Sequence, residues 1–248
     1  MIAPQPEAVL SGIPLLTAPL AEEALVRRQT LPLKPTPVTL TGDLVVLTPL
    51  DLDQDAATLH SISNGDPVQF PDRDIAAYDA DTLIWRFLFA GPFADVGAMR
   101  DYLQTQVDAP DGLPFCVRER ATNRPIGVAN FMSNVPAHLR IELGSIWYSP
   151  IAQRTGANTD ATFLMLEHAF ALGYRRVEWK CNALNARSRR AAERMGFTFE
   201  GVQEAHMIVK DRPRDTAWYR ILDHEWPAMK RHLRLRLGPN TDDPIPKD

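Results

Sequence analysis

The segment that most constrains this chain is IELGSIWYSPIAQRTGANTDATFLMLEHAF, Ile141 to Phe170. It reads as a strand ending near Tyr148, a turn at Pro150, a polar loop holding Arg154 and Gly156, and a long helix from Thr159 to Leu172. Ala161, Leu164, Met165, His168 and Leu172 recur at helical spacing, and Gly173 is a natural stop. A helix start leaves about four backbone N–H groups unpaired at the positive end of the macrodipole. Phosphate-bearing ligands use such ends. Gly156 allows close backbone approach, and the Arg154 guanidinium can fork onto a phosphate. An ordinary strand–loop–helix capped by Thr159, with Asp160 in its first turn, accounts for the same residues.

A second segment, Arg175 to Gly201, reads as a strand (Arg176 to Cys181), a helix (Ala186 to Met195) and the start of a further strand at Phe197. The helix places Ser188, Ala191, Ala192 and Met195 on one face, and these small residues leave room for a ligand or a close backbone. Asn185 stands just before the helix, where its amide can cap it or bond an extended ligand.

Elsewhere the pattern alternates. Strands are expected over 43–48, 114–120, 126–132, 139–148, 197–202, 205–210 and 215–222. Helices are expected over 51–62, 79–90, 95–107 and 224–235, several opening with an aspartate suited to an N-cap. The order is mixed α and β with no internal repeat, an α+β pattern. Residues 1–40 form an arm with prolines at 4, 6, 14, 19, 32, 35 and 37 and a short helical patch from Ala21 to Arg28. Residues 41–236 form the folded domain and 237–248 a polar tail.

The net charge of −4 supplies no global attraction to nucleic acid or membrane. The two cysteines, Cys116 and Cys181, are too few for a disulfide framework. No stretch approaches the roughly 20 apolar residues of a membrane span, and the N-terminus lacks a secretory pattern. A soluble, cytoplasmic protein is therefore expected. The histidines are scattered without metal-ligand spacing, and no G-x-S-x-G elbow occurs. Arg175, Arg176, Arg187, Arg189, Arg190 and Arg194 cluster in sequence, as a solvated face or as a dock for RNA.

The two segments together resemble the GNAT N-acetyltransferases, and within them the RimJ/RimL-like branch. Gln153-Arg154-Thr155-Gly156-Ala157-Asn158 is similar to the family's pyrophosphate loop [QR]-x-x-G-x-[GA], with Asn158 in place of the small last residue. Thr159-Asp160-Ala161, then Asn185, Ser188, Gly196 and Phe197, then Arg214 to Tyr219 and Glu225-Trp226, follow the branch's order. The resemblance covers about residues 40 to 235. It implies a mostly antiparallel sheet whose middle strands, ending near Tyr148 and Cys181, splay apart around the pantetheine of acetyl-CoA. It implies CoA contacts at Ile146, Trp147, Tyr148, Gln153, Arg154, Thr155, Gly156, Ala157, Asn158, Thr159, Asn182, Asn185, Ser188 and Arg190. A homodimer is compatible with the wrapping arm.

The implied reaction is direct attack of a primary amine on the thioester. It needs a base, an oxyanion donor and a hydroxyl for the leaving thiolate. Glu142 is the candidate base, ahead of His206 and Asp215. A backbone N–H around Ile146 or Trp147 is the candidate oxyanion donor. Many members carry a tyrosine acid seven residues after the motif asparagine, where this chain has Ala192. Ser188, or else Tyr219 or a water, takes that role. Asn158 and Ala192 also suit a degenerate fold that binds CoA or an acyl-CoA without turnover.

Overall fold

The computed structural model describes residues 19–238. Among the described residues, eight strands form one sheet: β1 (Leu40–Thr41), β2 (Val45–Pro49), β5 (Leu113–Glu119), β6 (Pro125–Val135), β7 (Arg140–Tyr148), β8 (Arg176–Asn182), β10 (Arg212–Leu222) and β9 (Thr198–Val209), in that spatial order. Every neighbouring pair is antiparallel except β7 and β8. Two short strands, β3 (Val68–Gln69) and β4 (Asp74–Ile75), pair separately within the long loop after the first domain helix.

Strand alternation assigns the layers. On β5, Arg118 reaches Asp55 of helix α2 (Leu52–Ser61). Phe115, of opposite parity, packs on Phe131, which meets His168 of helix α4 (Ala157–Ala171). Successive side chains of a strand point to opposite faces. Hence α2 and its partner α3 (Val96–Val107) cover one face and α4 covers the other, joined there by α6 (Trp226–Leu237). Helix α5 (Ala186–Arg194) lies against β8 and β9.

The caps follow from the sequence. The Asp51 carboxylate accepts from the N–H of Asp53 and Gln54, and Asp95 accepts from Ala98. The interior is built from Trp85, Phe115, Phe131, Phe163, Leu47, Leu59 and similar side chains, all essentially buried. The arm's helix α1 (Glu22–Thr30) is anchored by its arginines: Arg27 donates to the Leu172 carbonyl (2.8 Å) and Arg28 to Ala137 (2.7 Å). Asn134 then holds the carbonyls of Pro32 and Leu33 (3.0 and 2.8 Å). The stretches 1–18 and 239–248, which include most of the expected arm and tail, lie outside the described residues.

Three local expectations are corrected. Residues 79–90 do not form one α-helix: a π-helical turn spans Asp81–Trp85 and the chain then loops to Gly91. The expected strands 197–202 and 205–210 are one strand, β9, with Ala205 at φ 48 and a register shift opposite Asp215. Helix α4 starts at Ala157, so Thr159 sits in its first turn and does not cap it. Gly156 caps it, at φ 93. Asp160 instead turns a buried carboxylate onto the N–H groups of Leu44 (2.7 Å) and Val45 (3.1 Å), tying α4 to β2.

Candidate active site

The middle of the sheet opens. Strands β7 and β8 pair only over Arg140–Leu143 and Arg176–Trp179, although they run on to Tyr148 and Asn182. The cause is local. Between Asn130↔Gly144 and Val128↔Trp147, two residues of β7 oppose one of β6, and Ser145 takes φ 48. Such a bulge bends the strand that carries it. Strand β8 meanwhile stays bonded to β10 as far as Asn182↔Thr216. The two strands diverge beyond Leu143 and Trp179, leaving a cleft lined by Glu142 to Ile146, Trp179 to Asn182, Asn185 and Ser188.

At the end of β7 the loop to α4 is organised by its own hydroxyl and amide groups. Gln153 donates to the Tyr148 carbonyl (3.2 Å), and the Thr155 hydroxyl donates to Ala152 (2.7 Å) while accepting from the Ala157 N–H (3.3 Å). The N–H groups of Thr159 and Asp160 close on the Gly156 carbonyl. Those of Arg154, Gly156 and Asn158 find no acceptor among the described residues. The Asn158 amide lies beside the Thr162 hydroxyl of its own helix (3.5 Å), so its bulk folds back onto α4. Arg154 is exposed, at φ 66, with no ion pair among the described residues. The result is a cluster of free donors at the positive end of a 15-residue helix, which suits an anion by charge and by geometry.

On the other wall, Asn185 caps α5 by accepting from the Ser188 N–H (3.1 Å). Asn182 accepts from Leu184 (2.9 Å). The Ser188 oxygen accepts the indole N–H of Trp179 (3.0 Å), which leaves the serine's own proton to donate. Cys181 lines the cleft as well, its thiol held up in pKa by burial. Arg190 is exposed and folds back on the Ala186 carbonyl (3.1 Å).

Glu142 is buried on β7 and pairs with Lys180 at 2.8 Å. Burial raises its pKa, while the Lys180 charge opposes the rise. Glu178 beside it also feels burial, but Arg176 (2.7 Å), Lys180 (3.3 Å) and Arg140 (3.2 Å) pull its pKa down overall. Lys180 rests over the Trp218 ring at 4.1 Å. The neighbouring wall carries Phe87 to Phe89 and Arg214. Trp147 stacks against Trp85 (5.0 Å), and the Tyr148 phenol is buried, with its pKa raised by burial.

Not every expected residue reaches the cleft. Tyr219 is fully buried behind α5, where its hydroxyl donates to Glu193 and accepts from Arg189 (both 3.1 Å). His206 is tied to the Thr216 hydroxyl (2.9 Å), and Asp215 accepts the Ala205 N–H (2.8 Å). Part of the arginine cluster is engaged internally: Arg175 with Asp223, Arg176 with Glu178 and Glu200, Arg187 with the Thr82 carbonyl. Conversely, the sequence points to Lys180 only as part of a strand, and to Arg214 only within the closing motif and as one of the cations Lys210, Arg212 and Arg214 that follow the arginine cluster. For Lys180 the signal was a cation between Trp179 and Cys181, on a strand that also carries Arg176 and Glu178. Among the described residues, no group of three or more metal-ligating side chains converges, and no helix is long and apolar enough to cross a membrane.

Comparison with known proteins agrees with this geometry. The acetyltransferase (GNAT) domain family matches residues 45–198. A GCN5-related N-acetyltransferase from Brucella melitensis is 37% identical over 83% of this chain and 87% of its own, with a TM-score of 0.73. A probable GNAT-family acetyltransferase from Chromobacterium violaceum is 34% identical over 85% of this chain and 96% of its own, at 0.72. RimL, a ribosomal L7/L12 alpha-N-protein acetyltransferase, shares the fold at 17% identity over 75% of this chain and 95% of its own, with a TM-score of 0.61. No curated protein matches the chain.

Proposed function

This chain belongs to the GNAT acetyltransferases, and from that premise we propose that it moves the acetyl group of acetyl-CoA directly to a primary amine in a ternary complex. The acceptor is a small molecule or a protein N-terminus, and the branch is the RimJ/RimL-like one. The observation that carries this reading is the parting of β7 and β8 after Leu143 and Trp179, in line with the free N–H groups of Arg154, Gly156 and Asn158. A pantetheine arm fits an unpaired strand edge because its amides can bond as a strand does. Its pyrophosphate fits the start of α4 by charge and by donors.

The acetyl carbonyl then lies by the bulged part of β7, where a backbone N–H near Ile146 or Trp147 receives the developing oxyanion. The amine nitrogen bonds to the carbonyl carbon, its proton passes to the Glu142 carboxylate, and the carbon–sulfur bond breaks. The Ser188 proton goes to the departing sulfur, and the proton taken up by Glu142 is returned to the serine oxygen through water, which restores both groups. Ser188 suits that step because Trp179 already occupies its acceptor side. Lys180, paired with Glu142 at 2.8 Å, opposes the rise that burial imposes on its pKa and so favours the form that accepts a proton. Asn182, Asn185, Gln153, Thr155, Ala157 and Thr159 shape the CoA side, with Arg154 and Arg190 as outer phosphate contacts.

The test is release of free CoA thiol from acetyl-CoA across a panel of amines and N-terminal peptides, beside equilibrium binding of acetyl-CoA. Amine-dependent thiol release supports the enzyme. Tight binding with no transfer to any member of the panel would instead identify a CoA-binding module.

A further inference from the structure

One cation in the cleft makes no ion pair among the described residues. Arg214 is 6% exposed and its Nε is buried without a hydrogen-bond partner among the described residues. It is absent from every ion pair among those residues, whereas Lys180, Arg140 and Arg176 share the carboxylates of Glu142 and Glu178. What the protein offers Arg214 is the face of Phe89, with the guanidinium 5.0 Å from the ring centroid. Such a contact contributes about 0.5–2 kcal/mol. Taking a charge out of water costs several kcal/mol per ion. The aromatic ring does not offset the burial, so the arginine is held at a loss in the unliganded protein. Arg214 lines the cleft together with Glu142, Lys180 and Ser188. It is fixed there by the β9–β10 hairpin, whose Lys210 bonds the carbonyls of Trp85 (2.8 Å) and Gly91 (2.6 Å).

We infer that Arg214 receives an anionic group of the acceptor, so that the substrate is a primary amine carrying a carboxylate, as in an amino acid. This rests on the acetyl-transfer reading above and names its substrate class. The amine meets Glu142 while the carboxylate meets the forked guanidinium, the geometry arginine offers and lysine does not. Glu142 and Arg214 then read the two ends of one zwitterion, and the Phe87 to Phe89 wall packs beside its apolar part.

The experiment compares matched amine pairs that differ only by a carboxylate, such as phenylalanine against phenethylamine and alanine against ethylamine. It uses wild type and Arg214→Met, with acetyl-CoA titrated calorimetrically into each. Wild type is expected to favour the carboxylate member by kcat/KM. In Arg214→Met this preference falls roughly 10–100-fold, the size of a charged hydrogen bond. Circular dichroism confirms that the variant folds. Equal use of both members by wild type overturns the inference. So does a loss in the variant that falls on acetyl-CoA affinity, which would reassign Arg214 to the CoA side. Failure of wild type to acetylate either member of every pair overturns the inference, and failure on the N-terminal peptides as well, with acetyl-CoA binding intact, overturns the acyl-transfer reading itself. In that case binding of phenylalanine against phenethylamine to the CoA-loaded protein still reads Arg214, and equal affinities would sink its role.

Discussion

The Trp179 indole N–H donates to the Ser188 hydroxyl oxygen at 3.0 Å, joining β8 to α5 on one wall of the gap between β7 and β8. An oxygen that already accepts a bond directs its own proton elsewhere, and the cleft is what it faces. Ser188→Ala is therefore expected to lower kcat by about 100-fold, in the range of a positioned acid, while acetyl-CoA affinity stays within about three-fold. Steady-state kinetics with parallel calorimetry checks both. A kcat close to wild type would pass the role to water.

The pH dependence follows from Glu142. Burial raises its pKa above the ordinary carboxylate value, and the base works only when deprotonated. Activity therefore rises with pH through the raised pKa and is lost as pH falls below it. Removing the cation by Lys180→Met takes away the opposing charge. The acidic limb of kcat/KM then moves to higher pH, while Glu142→Gln abolishes it. A limb that stays in place in both variants would remove Glu142 as the base.

Gly156 has φ 93, and a Cβ there would stand 2.9 Å from the Leu44 side chain. Left-handed backbone costs about 1–2 kcal/mol for an ordinary residue. Gly156→Ala is expected to lower stability by about that amount in urea titration. It also weakens acetyl-CoA binding at least about ten-fold, because the donors at the start of α4 are displaced. Unchanged affinity would argue against phosphate binding at this loop.

Asp160 lies close by, and its effect is separable. Its buried carboxylate satisfies two N–H groups, of Leu44 and Val45. Asp160→Ala orphans both and is expected to cost about 2–5 kcal/mol in chemical denaturation. Both bonds fall on the same oxygen, Oδ2, so Asp160→Asn with its amide oxygen in that place keeps both and is expected to cost clearly less. Equal losses in the two variants would contradict this division.

The chemistry-bearing loop was legible because its cues are local: a Pro turn, a glycine and an amphipathic helix in fixed order. The longer strands, β9 aside, lie within a few residues of their expected bounds for the same reason, whereas the two-residue strands β1, β3 and β4 carry too little pattern to be read. What escaped depends on partners distant in sequence. The π-helical turn at Asp81–Trp85 is set by burial of Trp85, whose indole donates to the Ser63 carbonyl (2.8 Å). Asp160 suggested a helix-dipole role, but the N–H groups that donate to it lie at the start of β2, over a hundred residues away. Tyr219 fits a catalytic role by residue type, yet strand parity turns it to Arg189 and Glu193 behind α5. Arg214 could not be singled out among other arginines until the structure showed that it alone in the cleft goes unpaired.

Amide hydrogen exchange with and without acetyl-CoA tests the parted strands most directly. In the free protein, the Gly144 to Ile146 stretch of β7 and the Arg154 to Asn158 loop are expected to exchange fast. Both slow together when acetyl-CoA is added, while Arg140 to Leu143, already paired to β8, changes little. Protection confined to another surface, such as the hollow beside Asp43 and Arg120, would contradict the account.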